Sequence, residues 1–347
     1  MRNDTVRIGI IGAGFISNYH INGLKGVKGA QIVVVADTKP ARAVERAAGH
    51  GIPETLGDYR ALLERRDIDA VVIATPDHTH EEVAIAAADA GKAILLQKPM
   101  AMSVAGCRTI LERARANKVN LQVSWMHRYF EEVVRARELL ADGRLGAVYA
   151  VRIRNAVSPA VDKPWYYQKA FVAGGAVLQL GVHGIDLAQH MFGAISSLQA
   201  TTDILMPKRT MPDGEVIDQE VEDHALVHYK FACGALGTHE MTSCEAQGTD
   251  RFSMEIYCEK GTILLRTIRG ALALWAPGIT GHQEWSVPPL PEQAFGVRQH
   301  AWWIDVLQGR VTAATTAEDA INTQIIADTI YRSAQTGTRQ DVAPYMG

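Results

Sequence analysis

The sequence predicts an α/β protein of two domains: a doubly wound parallel sheet over residues 1–124, and an α+β domain with a large, open, mainly antiparallel sheet over residues 125–347. Three observations predict it. An apolar strand, supplied by Val6, Ile8, Ile10 and Ile11, runs straight into the glycine-rich turn Gly12-Ala13-Gly14. From there to residue 125, strands alternate with helical patterns, the arrangement that builds a parallel sheet with right-handed crossovers. Beyond Trp125 the strands lengthen and alternate polar with apolar residues, as strands covered on one face do. A chain of 347 residues is also too long for one ordinary core.

Taken in order, Gly12 and Gly14 fit the first two positions of the dinucleotide fingerprint, where a side chain would block the tight turn or hold a pyrophosphate off the backbone. Phe15 and Ile16 follow at the start of a helix whose N-terminus points at that phosphate. The third position is Ser17, small enough for close helix–strand packing. The next strand, Gln31–Ala36, ends in Asp37, whose carboxylate can accept hydrogen bonds from ribose hydroxyls and would repel a 2′-phosphate, favouring NAD over NADP. Thr38, Lys39 and Arg42 just beyond it would greet a phosphate, and capping the next helix is an alternative role for Asp37.

Ala70–Ala74 is a continuous apolar strand that stops at Thr75-Pro76-Asp77-His78-Thr79-His80, at the sheet edge where open α/β folds bind ligands. Thr75, Pro76 and His78 are therefore read as cofactor contacts. His78 and His80 lie two apart with no third ligand nearby, so no metal is expected. A helix over Glu81–Ala90, a strand over Ala93–Leu96, the turn Gln97-Lys98-Pro99, a helix over Ser103–Asn117 and a strand over Val119–Ser124 complete the domain. Lys98, at the carboxyl end of a strand, is placed to meet a substrate, although many such lysines are simply solvated.

In the second domain a helix is expected over Glu131–Asp142, with strands over Val148–Asn155, Ala225–Phe231, Ala235–Thr242, Phe252–Cys258 and Gly261–Arg266. One face of their sheet would pack on helices and the other would be free to meet another subunit, so a homodimer or homotetramer is expected. Met206–Glu220 reads as a mobile loop and Pro277–Pro291 as an irregular connection; helices over Phe295–Gln308 and Ala317–Gln335 close the chain.

Gly174–His190 reads as one helix carrying Gln179, His183 and Asp186 on one face. Glycine inside a helix costs about 1 kcal/mol against alanine, so Gly181 and Gly184 call for the close approach of a backbone or planar ring, such as packing against the cofactor domain would require. The setting favours catalysis by His183 over the commoner role of a core histidine. Trp165, Tyr166 and Tyr167 could stack on a sugar ring or fill an interface.

A net charge of −3 with 21% charged residues offers no basic excess for nucleic acid. Four scattered cysteines make neither a zinc site nor a disulfide framework. The first strand begins almost at the N-terminus, leaving no room for a signal peptide, and no apolar run reaches membrane-spanning length; a cytoplasmic protein is expected.

GIIGAGFIS, the strand ending in Asp37, AVVIATPDHTH, the AGK segment before QKP, GGAVLQLGVHGIDL and EKGTILL, in that order, resemble the Gfo/Idh/MocA family, the glucose-fructose oxidoreductase and inositol dehydrogenase group. The resemblance implies a Rossmann domain followed by an open-sheet α/β domain for substrate binding and oligomerisation, a nicotinamide cofactor, and redox chemistry on sugars, cyclitols and their derivatives. The family's usual Glu-Lys-Pro and Asp-x-x-x-His put Lys98 at the family lysine and His183 at the family histidine, while both acids have become amides, Gln97 and Gln179. Gln97 and Lys98 also join the expected cofactor contacts.

The expected reaction is hydride transfer between nicotinamide C4 and a carbinol carbon, with His183 as general base, Lys98 stabilising alkoxide charge and Gln179 orienting a hydroxyl or His183 itself. Arg128, Trp165 and Tyr166 join Lys98, Gln179 and His183 as expected substrate contacts. The two amides, with Arg128, Arg154, Lys163 and Lys169, suggest a substrate carrying a carboxylate, a neutral polyol or glycoside being the alternative. An NAD-dependent glycosidase working through transient oxidation, and a dinucleotide-binding regulator without turnover, are rival readings.

Overall fold

The computed structural model describes residues 5–160, 164–247, 250–292 and 294–345. The chain forms two compact units, Met1–Tyr129 with Glu292–Ile321, and Phe130–Pro291 with Asn322–Gly347. They differ from the sequence division at 124/125 because residues 292–321 pack with the first unit. Trp303 and Ile304 are fully buried in the same apolar cluster as Ile8, Ile10, Ile21 and Leu24, a contact that no local pattern announces.

In the first unit the strands are β1 (Val6–Ile11), β2 (Ala30–Ala36), β3 (Glu54–Leu56), β4 (Ala70–Ile73), β5 (Ala93–Leu96) and β6 (Leu121–Val123). They form one sheet in the order β3-β2-β1-β4-β5-β6, every neighbouring pair parallel. This is the doubly wound order, with its reversal beside β1. β4 is buried throughout, as a strand covered on both faces must be. The helices are α1 (Ser17–Lys25), α2 (Pro40–His50), α3 (Tyr59–Leu63), α4 (His80–Asp89) and α5 (Val104–Ala116). Sequence dictates their ends: Ser103 caps α5 by accepting the Gly106 N–H at 3.1 Å, and α2 starts with proline and stops at left-handed Gly51.

The second unit opens with α6 (Glu131–Ala141), β7 (Val148–Ala156), α7 (Val182–Phe192), β8 (Ile195–Asp203), β9 (Lys208–Thr210), β10 (Val216–Asp218), β11 (His224–Phe231) and β12 (Leu236–Thr242). After these come β13 (Phe252–Cys258), β14 (Gly261–Thr267), β15 (Gly270–Trp275) and α8 (Pro277–Thr280). The chain then returns to the first unit through α9 (Val297–Leu307), and α10 (Ala317–Thr336), which crosses the unit boundary, leads to β16 (Gln340–Asp341). The large sheet runs β15-β14-β13-β7-β12-β11-β8-β16, antiparallel except for the β7/β12 pair. Its alternation is visible in β11, where Ala225, Val227, Tyr229 and Phe231 are buried and the residues between them are not.

Three expectations change. Met206–Glu220, expected as a mobile loop, carries the antiparallel pair β9/β10, tied down by the buried Arg209–Asp223 ion pair at 2.8 Å. Pro277–Pro291 includes α8 and a bridge between Leu274 and Ser286. The helix expected across 174–190 begins with a π-helical turn over Val177–Gly181 before α7 takes over, which widens that turn by one residue.

Candidate functional site

In the first unit the glycine turn and Asp37 come together. Gly12 has φ +96°, and a Cβ there would sit 2.6 Å from the Ala74 carbonyl oxygen, so the turn requires glycine twice over. A Cβ on Gly14 would meet nothing within 4 Å, leaving that backbone open to a ligand. Phe15 is exposed and Ile16 caps α1 in helical conformation. Ser17 fills the third position with a use for its hydroxyl, which donates to the Gly14 carbonyl at 2.6 Å. Asp37 Oδ2 accepts the Ala13 N–H at 2.8 Å and Oδ1 accepts the Lys39 N–H at 2.8 Å. The second bond stops short of capping α2, whose N-cap residue is Lys39 and which has no side-chain cap bond. A carboxylate retains lone pairs beyond those two bonds, and Arg42 stands 4.0 Å away. An open glycine turn at a helix N-terminus beside an acid at the end of β2 fits the pyrophosphate and ribose of a dinucleotide.

The turns after β4 and β5 are joined by a residue whose importance the sequence hid. His80 is fully buried, with Nε2 2.9 Å from the Thr75 carbonyl oxygen and Nδ1 2.7 Å from the Pro99 carbonyl oxygen. It therefore pins the segment holding Thr75 and Pro76 to the turn holding Lys98, whose bond to Pro99 is cis. A neutral imidazole can donate to only one of those oxygens; burial pushes its pKa down while Asp77 pulls it up. His78 is exposed. Gln97 is buried and folds back, its Oε1 accepting the Lys98 N–H at 2.7 Å. The amide thus does locally what a carboxylate oxygen would.

In the second unit Gln179 lies in the π turn and His183 one turn on in α7, both nearly buried, with Asp186 fully so. Gly181 and Gly184 are explained by the unit's own sheet: a Cβ on Gly181 would strike Met241, and one on Gly184 would strike Asn155 Oδ1 and the His239 ring. The close approach of a planar ring is found within the second unit, at β12 and β7. Beneath Gly184 runs a buried chain in which Tyr229 OH faces His239 Nδ1 at 3.2 Å and His239 Nε2 faces Asn155 Oδ1 at 2.8 Å. The amide oxygen can only accept, so Nε2 carries the proton and Tyr229 donates to Nδ1. Burial pushes the His239 pKa down to about 3, keeping the ring neutral.

The N-terminus of this segment is held by Glu222, which no motif marked. Its carboxylate accepts the Gly175 N–H at 3.1 Å, the Val177 N–H at 3.0 Å and the Tyr331 hydroxyl at 2.8 Å. Burial raises its pKa. A carboxylate on unsatisfied first-turn amides is the usual stabiliser of a helix start.

Two of the four basic residues expected to make a positive site have carboxylate partners. Arg128, in the first unit, pairs with Asp319 at 2.8 Å. Arg154 lies on the sheet face opposite Asn155, paired with Glu245 and with Glu240 at 3.6 Å. Lys169 is exposed and Lys163 lies outside the described residues. Trp165 and Tyr166 are half-buried, their rings edge to face at 5.5 Å. Tyr167 instead packs with Met211 and Ile217 under the β9/β10 hairpin, with Arg209 over its ring. Among the described residues no group of three or more His, Cys, Asp or Glu could hold a metal ion.

Comparison with known proteins adds to this geometry. Residues 6–125 match the oxidoreductase family with an NAD-binding Rossmann fold, and residues 133–264 match the GFO/IDH/MocA C-terminal domain. A scyllo-inositol 2-dehydrogenase (NAD(+)) of Bacillus subtilis is 30% identical over 270 residues, 76% of this chain and 75% of that one. An inositol 2-dehydrogenase of Rhizobium meliloti is 31% identical over 262 residues, 75% of each. The match to a levoglucosan dehydrogenase of Pseudarthrobacter phenanthrenivorans, 28% identical over 252 residues and 67% of this chain, spans 64% of that relative, just under two thirds. A solved structure of levoglucosan dehydrogenase in complex with NADH and levoglucosan superposes with a TM-score of 0.88 at 24% identity, covering 98% of this chain and 99% of that one.

Proposed function

Because the chain belongs to the Gfo/Idh/MocA family of oxidoreductases, we propose that it is an NAD-dependent dehydrogenase that oxidises a secondary alcohol on a neutral ring polyol, a cyclitol or sugar. NAD, when bound, supplies the hydride acceptor at nicotinamide C4. His183 serves as general base for the reacting hydroxyl, and Lys98 stabilises developing alkoxide charge. Gln179, one helical turn before His183, orients a neighbouring hydroxyl, and Trp165 and Tyr166 offer ring faces to the apolar side of the substrate. Gly12, Gly14, Phe15, Ile16, Asp37, Thr75, Pro76, His78 and Gln97 are the cofactor contacts in this reading.

The observation that carries it is a nearly buried histidine on a helix pressed against its own sheet at Gly181 and Gly184, a rigid mount of the kind a general base needs. Neutral substrates are preferred because carboxylates already pair with Arg128 and Arg154, so these side chains are not spare cations for a substrate acid. A panel of inositols, hexoses, anhydro sugars and the matching uronates, read as NADH absorbance, tests this. Turnover of a neutral polyol supports it, and a strict requirement for the carboxylate overturns the neutral preference. Sugar release without net NADH would favour glycosidase chemistry, and NADH binding with no turnover of any compound would favour a regulator.

A second copy of the chain covers the outer face of the eight-stranded sheet. Leu226, opposite Glu240, and Leu236, opposite Ala150, stand exposed there, and sheet faces with large exposed apolar residues are disposed to pair. The four free thiols accord with a cytoplasmic setting, and among the described residues no helix is long and apolar enough to cross a membrane.

A further inference from the structure

Arg46 stands on α2, outside the fingerprint and outside the chemistry. Its Nε and Nη2 lie 3.4 and 3.2 Å from the Ala13 carbonyl oxygen, and Nη2 also lies 3.3 Å from the Gly14 carbonyl oxygen. Nη1 donates to Asn18 Oδ1 on α1, an oxygen that also faces His50 Nε2 at 2.9 Å. One guanidinium therefore spans two consecutive peptide oxygens of the glycine turn and one side-chain oxygen of the helix behind it.

Peptide geometry turns this into a statement about ligands. In a trans peptide the carbonyl and the next residue's N–H point in opposite directions. With the Ala13 and Gly14 carbonyls drawn to Arg46, the Gly14 and Phe15 N–H groups are directed away from it. Two successive amides presented together form the concave donor set that receives an anion. Ser17 reinforces the arrangement, its N–H at 3.2 Å and its hydroxyl at 2.6 Å both donating to the Gly14 oxygen.

We infer that Arg46 is a positioning residue for dinucleotide binding: it holds two peptide planes of the glycine turn in the orientation that receives the pyrophosphate, acting through the backbone rather than touching the phosphate. The planar fork suits the task, because a lysine ammonium cannot span both carbonyls and the Asn18 oxygen from one point. The inference rests on NAD binding at this turn but not on which alcohol is oxidised.

The test is direct binding to the full chain, by fluorescence titration for NADH and calorimetry or NMR for ADP-ribose and adenosine. Arg46→Ala is expected to raise Kd for NADH and ADP-ribose by about tenfold, the loss of one charge-assisted bond, and to leave adenosine, which has no phosphate, within about twofold. Arg46→Lys is expected to fall between, about threefold weaker for ADP-ribose. Unchanged ADP-ribose binding in Arg46→Ala, or an equal loss for adenosine, overturns the inference. Should Arg46→Ala not fold, Arg46→Lys decides alone, unchanged ADP-ribose binding being the overturning result. If the unaltered enzyme binds neither NADH nor ADP-ribose, the inference and the dehydrogenase reading fall together; if it binds both and only the Arg46 variants match it, the inference alone falls.

Discussion

At the scale of single residues, His183 and Lys98 carry the proposed chemistry, and their variants should separate catalysis from binding. His183→Ala is expected to lower kcat by about 10²- to 10⁴-fold, the usual worth of a general base, while Kd for NADH stays within about twofold. Stopped-flow turnover and NADH titration on the same preparation check this. Lys98→Ala should also lower kcat by orders of magnitude; normal turnover in both variants would remove the mechanism. Gly12 and Asp37 are legible from residue type and spacing, because a fingerprint glycine and a strand-end acid announce themselves locally, while Lys98 and His183 are marked by the family resemblance and their roles stand as proposals. Nothing local marks His80, whose ring ties the Thr75 segment to the Pro99 carbonyl, nineteen positions along the chain and visible only after folding.

At the scale of elements, the decisive piece is the segment from Gly175 through α7, capped by Glu222 and laid on β7 and β12. Gly184→Ala would push a methyl into Asn155 and His239. It should destabilise the protein by about 1–3 kcal/mol in urea unfolding, the cost of overpacking a fitted contact, and lower kcat through displacement of His183. Glu222 makes the element pH-sensitive. Its pKa is raised in the folded state from the ordinary 4.5, so the folded protein holds a proton that the unfolded chain has released once the pH passes that value. Glu222's contribution is therefore full below the ordinary value and is lost as pH rises through the raised one. Glu222→Gln, which cannot titrate, should show a flatter decline of stability as the pH rises above the ordinary carboxylate range; an unchanged slope in urea unfolding would contradict it. Nothing in the spacing of Gln179 and His183 reveals the π turn, because it is set by how the segment seats on the sheet and on Glu222.

At the scale of the whole molecule, several histidines are buried in neutral form. The His239 pKa is pushed down to about 3 and that of His300 to about 4, in both cases chiefly by burial, and that of His20 well below its ordinary value. Their depressed values mean that the unfolded chain binds protons the folded one refuses. Stability is then complete above about pH 6.5 and falls as the pH drops toward those values, by about 1.4 kcal/mol for each unit of separation per group. Urea midpoints should fall steeply between about pH 6.5 and pH 4, and His239→Gln should soften that fall. Light scattering across a concentration series tests the proposed pairing of two copies: Leu226→Glu with Leu236→Glu should yield monomers, and an unaltered mass would exclude that face.

The sequence by itself determined the doubly wound sheet, the strand alternation of the second unit and the dinucleotide turn. Those depend on period, residue size and spacing, which are properties of neighbours along the chain. Only the tertiary structure decided that Gly184 makes room for His239 and Asn155, that Glu222 caps the helix segment, that Arg46 turns the peptide planes of the glycine loop, and that residues 292–321 complete the first core. Each is a contact between residues far apart in order, chosen by which buried surfaces and polar groups could satisfy one another once the chain had closed.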